Sequence, residues 1–149
     1  MDELELKLKS AIDEEEKHFK RFFSACKKLE NSFPFSEKTL EDDDTVEHLD
    51  QMTWRFVKIQ DSIGRRFIPY IVEYSYNTTD GLNFRDMLNK LEKLNILTSK
   101  EWNEFRILRN DITHIYPDDD KLIETLNEIY TRKDDLFKIY DNLKSYVDV

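Results

Sequence analysis

The residues best suited to chemistry in this sequence lie in one short stretch, from 109 to 117. Arg109 is followed at once by the amide Asn110, His114 comes five residues after the arginine, and Tyr116 and Pro117 close the stretch. The chain has only three histidines and three prolines, so two scarce residue types meet here. A guanidinium binds phosphate oxygens through paired hydrogen bonds, and an imidazole can take up or release a proton near neutral pH. The stretch therefore indicates acid–base chemistry at a phosphodiester.

Each of these side chains has a plausible part in such a reaction. Arg109 could stabilise the negative charge of the transition state, His114 could move the proton, and Asn110 could orient either group or a ribose hydroxyl. On one continuous helix, however, positions five apart differ by about 140° and do not lie side by side. Either the helix ends between Arg109 and His114, or a two-fold dimer brings the stretch from each subunit into one cleft.

The spacing Arg109, four residues, His114, one residue, Tyr116, with the polar Asn110 after the arginine, resembles the motif of the HEPN superfamily and in particular its HepT-like ribonuclease toxins. The stretch from Trp54 to Gly64 is also similar to a segment of some HepT-like proteins. The resemblance extends over essentially the whole chain and implies a compact all-α domain.

The resemblance also implies a function. It implies a homodimer whose two motifs face each other and cleave RNA by attack of a ribose 2′-hydroxyl, with no metal or other cofactor. It implies neutralisation by a minimal nucleotidyltransferase antitoxin, which in such systems adds AMP to the motif tyrosine. On this resemblance Arg109 and His114 are catalytic, Asn110 assists them, and Tyr116 is the AMPylation target.

Simpler roles fit the same residues. Arg109 could pair with Asp111 or with a carboxylate of another helix, and His114 could cap the last carbonyls of its own helix. Tyr116 could be a half-buried aromatic before a turn. Asp61 lies in an otherwise apolar helix, where it would either reach the cleft and orient Arg109 or His114, or face solvent.

Other classes of function are weaker alternatives. The bundle could be a non-catalytic module that binds a nucleotidyltransferase partner or a nucleotide. A histidine phosphotransfer domain also uses one histidine, but that histidine is expected in mid-helix without a proline three residues later. A di-iron bundle needs two Glu-x-x-His pairs and further carboxylates, whereas this chain offers one such pair, Glu15 with His18, and an Asp111–His114 pair.

Composition limits the fold and the compartment. The 149 residues fit one domain, and two glycines and three prolines in a chain rich in Lys, Glu, Leu, Asp and Ile favour long helices. A net charge of −9 disfavours non-specific binding of nucleic acid or anionic membrane, so any RNA site must be a local basic cleft. The single cysteine, Cys26, and the absence of a signal-like N-terminus or a spanning apolar run predict a cytoplasmic protein that does not enter the membrane.

Apolar spacing predicts five helices, four long and one short, in an all-α bundle. The first reaches Asn31, and the second is opened by a capping box of Asp44 with Glu47 and kinked or ended by Pro69. A short third helix spans about 84–94. A fourth, capped by Thr98 with Glu101, finishes near His114, and a continuous fifth runs from 118 to 147.

Overall fold

The computed structural model describes residues 2–114 and 118–149, and over these residues the chain is helical, with no strand. The predicted all-α bundle is confirmed. Its helices are α1 (Glu3–Lys28), α2 (Asp43–Ser62), α3 (Ile68–Tyr76), α4 (Phe84–Lys93), α5 (Ser99–His114), α6 (Asp119–Thr131) and α7 (Lys133–Tyr146). None of these helices combines the length and the apolar character needed to cross a lipid bilayer.

The core forms where the apolar stripes of the helices meet. α1 packs along α2, and its stripe buries Leu8, Phe19 and Phe22 almost completely. Phe19 contacts the rings of Phe137 and Tyr140 on α7, each with centroids 5.2 Å apart. Because α1 and α2 are the longest elements, they form the frame against which the shorter helices are placed.

The start of α2 differs from the expectation. Asp42, not Asp44, is its N-cap, and the Asp42 carboxylate accepts a hydrogen bond from the Thr45 amide at 3.1 Å. Asp42 can do so because its backbone is extended, with φ −96° and ψ 111°, whereas Asp44 already lies within the helix. Sequence alone cannot choose among three successive aspartates, each a good capping residue.

α2 and α3 are joined without a loop. A five-residue π-helical turn, Ile63–Phe67, connects them, and the Ile68 amide donates to the carbonyl of Ile63. Pro69 lies in the first turn of α3, as expected for a residue that cannot donate a backbone hydrogen bond. The irregularity predicted at the proline therefore lies in the turn just before it, and this turn borders the site described below.

The predicted fifth helix is in fact two, so the chain has more helices than the four long and one short expected from spacing. α6 ends and α7 begins around Arg132, whose φ of −97° and ψ of 13° leave the helical region. Its guanidinium binds Glu104 of α5 at 2.7 Å and lies over the Phe105 ring. The break lets α6 pack on α5 and α2 while α7 packs on α1. These are tertiary contacts, invisible to helix periodicity.

One carboxyl group is buried in the core. Glu15 of α1 is only 1% exposed, and its Oε1 accepts a hydrogen bond from the hydroxyl of Ser62 at the end of α2. Burial raises the pKa of Glu15 from 4.5 to about 8. At neutral pH this side chain is therefore a neutral acid inside the bundle.

Stability should depend on pH through Glu15. Between pH 4.5 and about 8 the unfolded chain loses this proton while the folded chain keeps it, so the free energy of unfolding falls as pH rises, by up to about 1.4 kcal/mol per pH unit. Glu15→Gln should remove that dependence. Urea unfolding at pH 5 to 9 measures it, with the exposed Asp13→Asn as the matched control. Parallel pH curves for wild type and Glu15→Gln would contradict the assignment.

Candidate functional site

Arg109 is held by an ion pair between two helices. It lies on α5, and Asp61, near the end of α2, accepts hydrogen bonds from its Nε at 3.0 Å and its Nη2 at 3.2 Å. Each side chain is about a quarter exposed, at 24% and 28%. This forked contact fixes the plane of the guanidinium. The expected alternative partner, Asp111, does not bind Arg109.

The carboxylates near the motif are directed elsewhere. Asp111 lies 3.5 Å from the ammonium of Lys121 on α6. Asp118 is the N-cap of α6 and accepts a hydrogen bond from the Lys121 amide at 3.2 Å. Their negative charges are thus compensated by a lysine and by the positive end of a helix dipole. The acidic cluster that follows the motif in sequence does not neutralise Arg109.

The hydroxyl of Thr113 connects Arg109 with His114. Arg109 Nη1 lies 3.4 Å from Thr113 Oγ1, and His114 Nδ1 lies 2.9 Å from the same oxygen. α5 is continuous through His114, so the idea that the helix ends between the two residues is wrong. No glycine or proline lies between Arg109 and His114, so nothing in the sequence ends the helix there. A shared hydroxyl, not a turn in the chain, links the two side chains.

His114 lies exposed at the last described turn of α5, and its tautomer follows from its contacts. Nδ1 is 2.9 Å from the carbonyl oxygen of Asn110, and a carbonyl can only accept. The Nδ1–H therefore donates, and in the neutral ring Nε2 carries the lone pair. Nε2 is therefore the ring nitrogen that can accept a proton from a ligand.

A cavity of about 350 Å³ opens beside Arg109. Its walls come from the end of α2, the π-helical turn, the start of α4 and the face of α5. The lining residues are Gln60, Asp61, Gly64, Arg65, Phe84, Trp102, Arg106, Arg109 and Asn110. Three of them are arginines and one is a carboxylate, so the cavity is locally basic in a chain of net charge −9. This is the local basic cleft that an acidic protein needs for an anionic ligand.

The sequence-predicted residues divide between this cavity and its surroundings. Arg109, Asn110 and Asp61 line it, whereas His114 reaches it only through Thr113. Tyr116 lies outside the described residues. Of the two successive arginines of the π-helical turn, Arg65 lines the cavity, and Arg66 pairs with Glu14 of α1 at 2.7 Å.

The sequence analysis did not predict four residues of the site: Phe84, Trp102, Arg106 and Thr113. Arg106 had a usable signal, because it lies three residues before Arg109 and so on the same helix face. Trp102 and Phe84 read as ordinary core positions, and only tertiary structure brings them to the cavity wall. Thr113 has no sequence signal apart from its position next to His114.

The residues considered for a di-iron centre do not converge. Glu15 lies in the core, and Arg55 Nη1 donates to Nδ1 of His18 at 2.9 Å. Burial lowers the pKa of His18, which agrees with a neutral ring that accepts from arginine. Among residues 2–114 and 118–149, no three His, Cys, Asp or Glu side chains are grouped so that they could hold a metal ion.

Comparison of the chain with protein-family models, with curated proteins and with solved structures gave no match. The geometry of the site and the motif at 109–116 are therefore the observations that bear on function.

The ion pair between Asp61 and Arg109 should be energetically coupled. Because both groups are partly screened by solvent, we expect a coupling free energy of about 1 kcal/mol, reduced in high salt. A double-mutant cycle of Asp61→Ala and Arg109→Ala, followed by urea unfolding, measures it. The longer Asp111–Lys121 pair is the matched control and should give less. Strictly additive single-mutant effects at Asp61 and Arg109 would contradict the predicted coupling.

Proposed function

We propose that this chain is a metal-independent endoribonuclease of the HEPN type, a HepT-like toxin. One observation carries the proposal: Arg109, fixed by Asp61, shares an open basic cavity with Asn110, Arg65 and Arg106, and a single hydroxyl links it to His114. Guanidinium groups at a concave surface suit a phosphodiester, and an exposed imidazole beside them suits proton transfer.

The reaction is transesterification within the RNA strand. The ribose 2′-oxygen bonds to phosphorus, the bond from phosphorus to the 5′-oxygen breaks, and the products carry a 2′,3′-cyclic phosphate and a 5′-hydroxyl. His114 Nε2 takes the proton from the 2′-hydroxyl. Arg109 keeps N–H groups on Nη1 and Nη2 that Asp61 and Thr113 do not use, and these stabilise the charge on the phosphorane oxygens. Asn110 orients the ribose.

The proposed assembly is a homodimer. One protomer supplies one imidazole in this region, whereas the reaction needs a base for the 2′-hydroxyl and an acid for the departing 5′-oxygen. A two-fold axis near the exposed end of α5 would supply His114 twice. Ile107 supports an interface there, because it lies on α5 and is 59% exposed, unusual for a large apolar side chain.

The proposed regulation follows the resemblance. A minimal nucleotidyltransferase antitoxin would bring ATP to Tyr116, whose phenol oxygen would bond to the α-phosphorus as pyrophosphate leaves. An AMP group two residues beyond His114 would add bulk and negative charge close to the site. The cleavage uses RNA and the modification of Tyr116 uses ATP, which fits the proposed cytoplasmic location.

A non-catalytic binding module is the second candidate. It is favoured by one observation: His114 Nδ1 is engaged by the carbonyl of its own helix, and the imidazole does not line the cavity. On this alternative the arginines recognise a nucleotide or a nucleotidyltransferase partner, and no bond is broken.

RNA cleavage by the purified protein tests the first proposal. Cleavage of a 5′-labelled RNA should persist in EDTA and leave 2′,3′-cyclic phosphate ends, and Arg109→Ala or His114→Ala should lower the rate about 100-fold or more. Arg85→Ala and His48→Ala, which alter residues outside the cavity, are the matched controls and should cleave as wild type does. Circular dichroism checks that all variants fold. Undiminished cleavage by His114→Ala would exclude the mechanism, and RNA binding without cleavage by wild type would support the binding module.

Modification of Tyr116 can be tested by mass. Co-expression with the proposed minimal nucleotidyltransferase antitoxin should add one or more AMP units to the wild-type chain, located at Tyr116 by peptide mapping. Tyr116→Phe, which lacks only the hydroxyl, should remain unmodified and should stay active as a nuclease in the presence of the partner. AMP found on Tyr116→Phe, or wild type neutralised without any added mass, would contradict this regulation.

A further inference from the structure

Gln60 brings an unsatisfied polar group to the cavity beside Arg109. Its side chain is 4% exposed and lies among the cavity-lining residues. Its Oε1 is fully buried and has no hydrogen-bond partner among the described residues. A buried acceptor without a partner is disfavoured, and the usual compensation is a group supplied by water or ligand. An amide presents an acceptor and two donors in one plane, which is the pattern that pairs with the edge of a nucleobase.

The neighbouring wall is aromatic. Trp102 and Phe84 both line the cavity, with ring centroids 6.1 Å apart and planes inclined by 50°. Trp102 packs closely on Gly64: a Cβ there would lie 3.1 Å from Cζ2 of the indole, so a larger residue would require the ring to shift by a few tenths of an ångström. Trp102 is only 2% exposed, so the accessible aromatic surface is mainly that of the half-buried Phe84. Such surfaces contact bases with little regard to sequence, so they provide affinity while a polar group provides selection.

The mouth of the cavity is cationic. Arg65 and Arg106 are exposed, and within residues 2–114 and 118–149 neither has a carboxylate within ion-pairing distance. They lie on two different elements, the π-helical turn and α5, with Arg109 on the same rim. A cavity of about 350 Å³ falls at the lower end of the range for small-ligand sites, which suits one nucleotide and not a longer segment.

We infer that this cavity binds a single nucleotide of the RNA strand and that Gln60 selects its base. The base enters between Gln60 and the aromatic wall, and its phosphate lies between Arg65 and Arg106. This inference rests on the proposed ribonuclease function for its biological meaning, since the bound nucleotide would adjoin the phosphodiester held by Arg109. Gln60 is thus a specificity-determining residue, separate from the groups that move protons.

Binding can be measured without cleavage. The chain has two tryptophans, the exposed Trp54 and the cavity residue Trp102, so in Trp54→Phe all tryptophan fluorescence reports on the cavity. The probes are the four ribonucleoside 5′-monophosphates, with ribose 5-phosphate as the matched ligand that lacks only the base. Gln60→Leu and Gln60→Met each remove the amide at similar volume, and both are expected to fold because they replace an unpartnered polar group. Arg85→Ala is the matched control for Arg106→Ala.

Three results are expected. At least one monophosphate should quench the fluorescence of Trp102 saturably. It should bind at least about 10-fold more tightly than ribose 5-phosphate, because loss of one polar contact to the base weakens binding by about that factor. Gln60→Leu and Gln60→Met should abolish the preference among bases. Arg106→Ala should weaken all five ligands by a similar factor, and Arg85→Ala should weaken none.

Other results overturn the inference. Equal affinity for ribose 5-phosphate and the nucleotides would show that the cavity recognises phosphate alone. If no ligand quenches Trp102 saturably, the cavity is not a nucleotide site. Unchanged base preference in folded Gln60 variants would remove Gln60 from recognition. Because no ligand is cleaved in this assay, failure here leaves the ribonuclease proposal standing, and loss of the ribonuclease proposal leaves the binding result intact.

Discussion

The contact between Asp61 and Arg109 organises this site. It joins the end of α2 to α5 with two charge-assisted hydrogen bonds, and the cavity opens between the same two elements. A pair that is about a quarter exposed contributes little net stability, because solvent screens its charges. Its main effect is orientation. With Nε and Nη2 of the guanidinium held by Asp61, Nη1 lies 3.4 Å from the Thr113 hydroxyl, and the side chain lines the cavity.

The charge distribution makes the cavity locally basic in an acidic chain. Net charge acts over roughly a Debye length, about 8 Å at physiological salt, so nearby arginines outweigh distant carboxylates. The nearby carboxylates are compensated individually: Asp61 binds Arg109, Asp111 lies against Lys121, and Asp118 caps α6. Arg65 and Arg106 then leave the cavity mouth positive. A net charge of −9 limits non-specific binding of anions to the chain as a whole but does not prevent binding of an anion at this cavity.

Sequence predicted those parts of the structure that depend on neighbours along the chain. The helical stripes follow from periodicity, and the structure agrees with them. The break at Arg132 did not follow, because it depends on Glu104 and Phe105 of another helix. The N-cap of α2 is Asp42 and not Asp44 because the backbone of Asp42 is extended, which spacing along the sequence does not reveal.

The candidate site shows the same division. Arg109, Asn110 and His114 were found because they are adjacent in sequence, and Asp61 stood out as a charge within an apolar stripe. Trp102 and Phe84 could not be found in this way, since an aromatic residue at helical spacing is usually core. Trp102 lies in the cavity wall where it packs closely on Gly64 of the π-helical turn. Long-range packing, not local pattern, turned core positions into a cavity wall.

The position of His114 determines what the site can do within one protomer. Its Nδ1 is occupied by the carbonyl of Asn110, which leaves Nε2 as the single proton-accepting atom on the imidazole. Transesterification needs a proton removed from one oxygen and delivered to another on the opposite side of phosphorus, because attacking and leaving oxygens are in line. One imidazole at one helix end cannot contact both oxygens at once. The proposed transesterification therefore requires a second acid, which a copy of the same helix end across the proposed two-fold axis would provide.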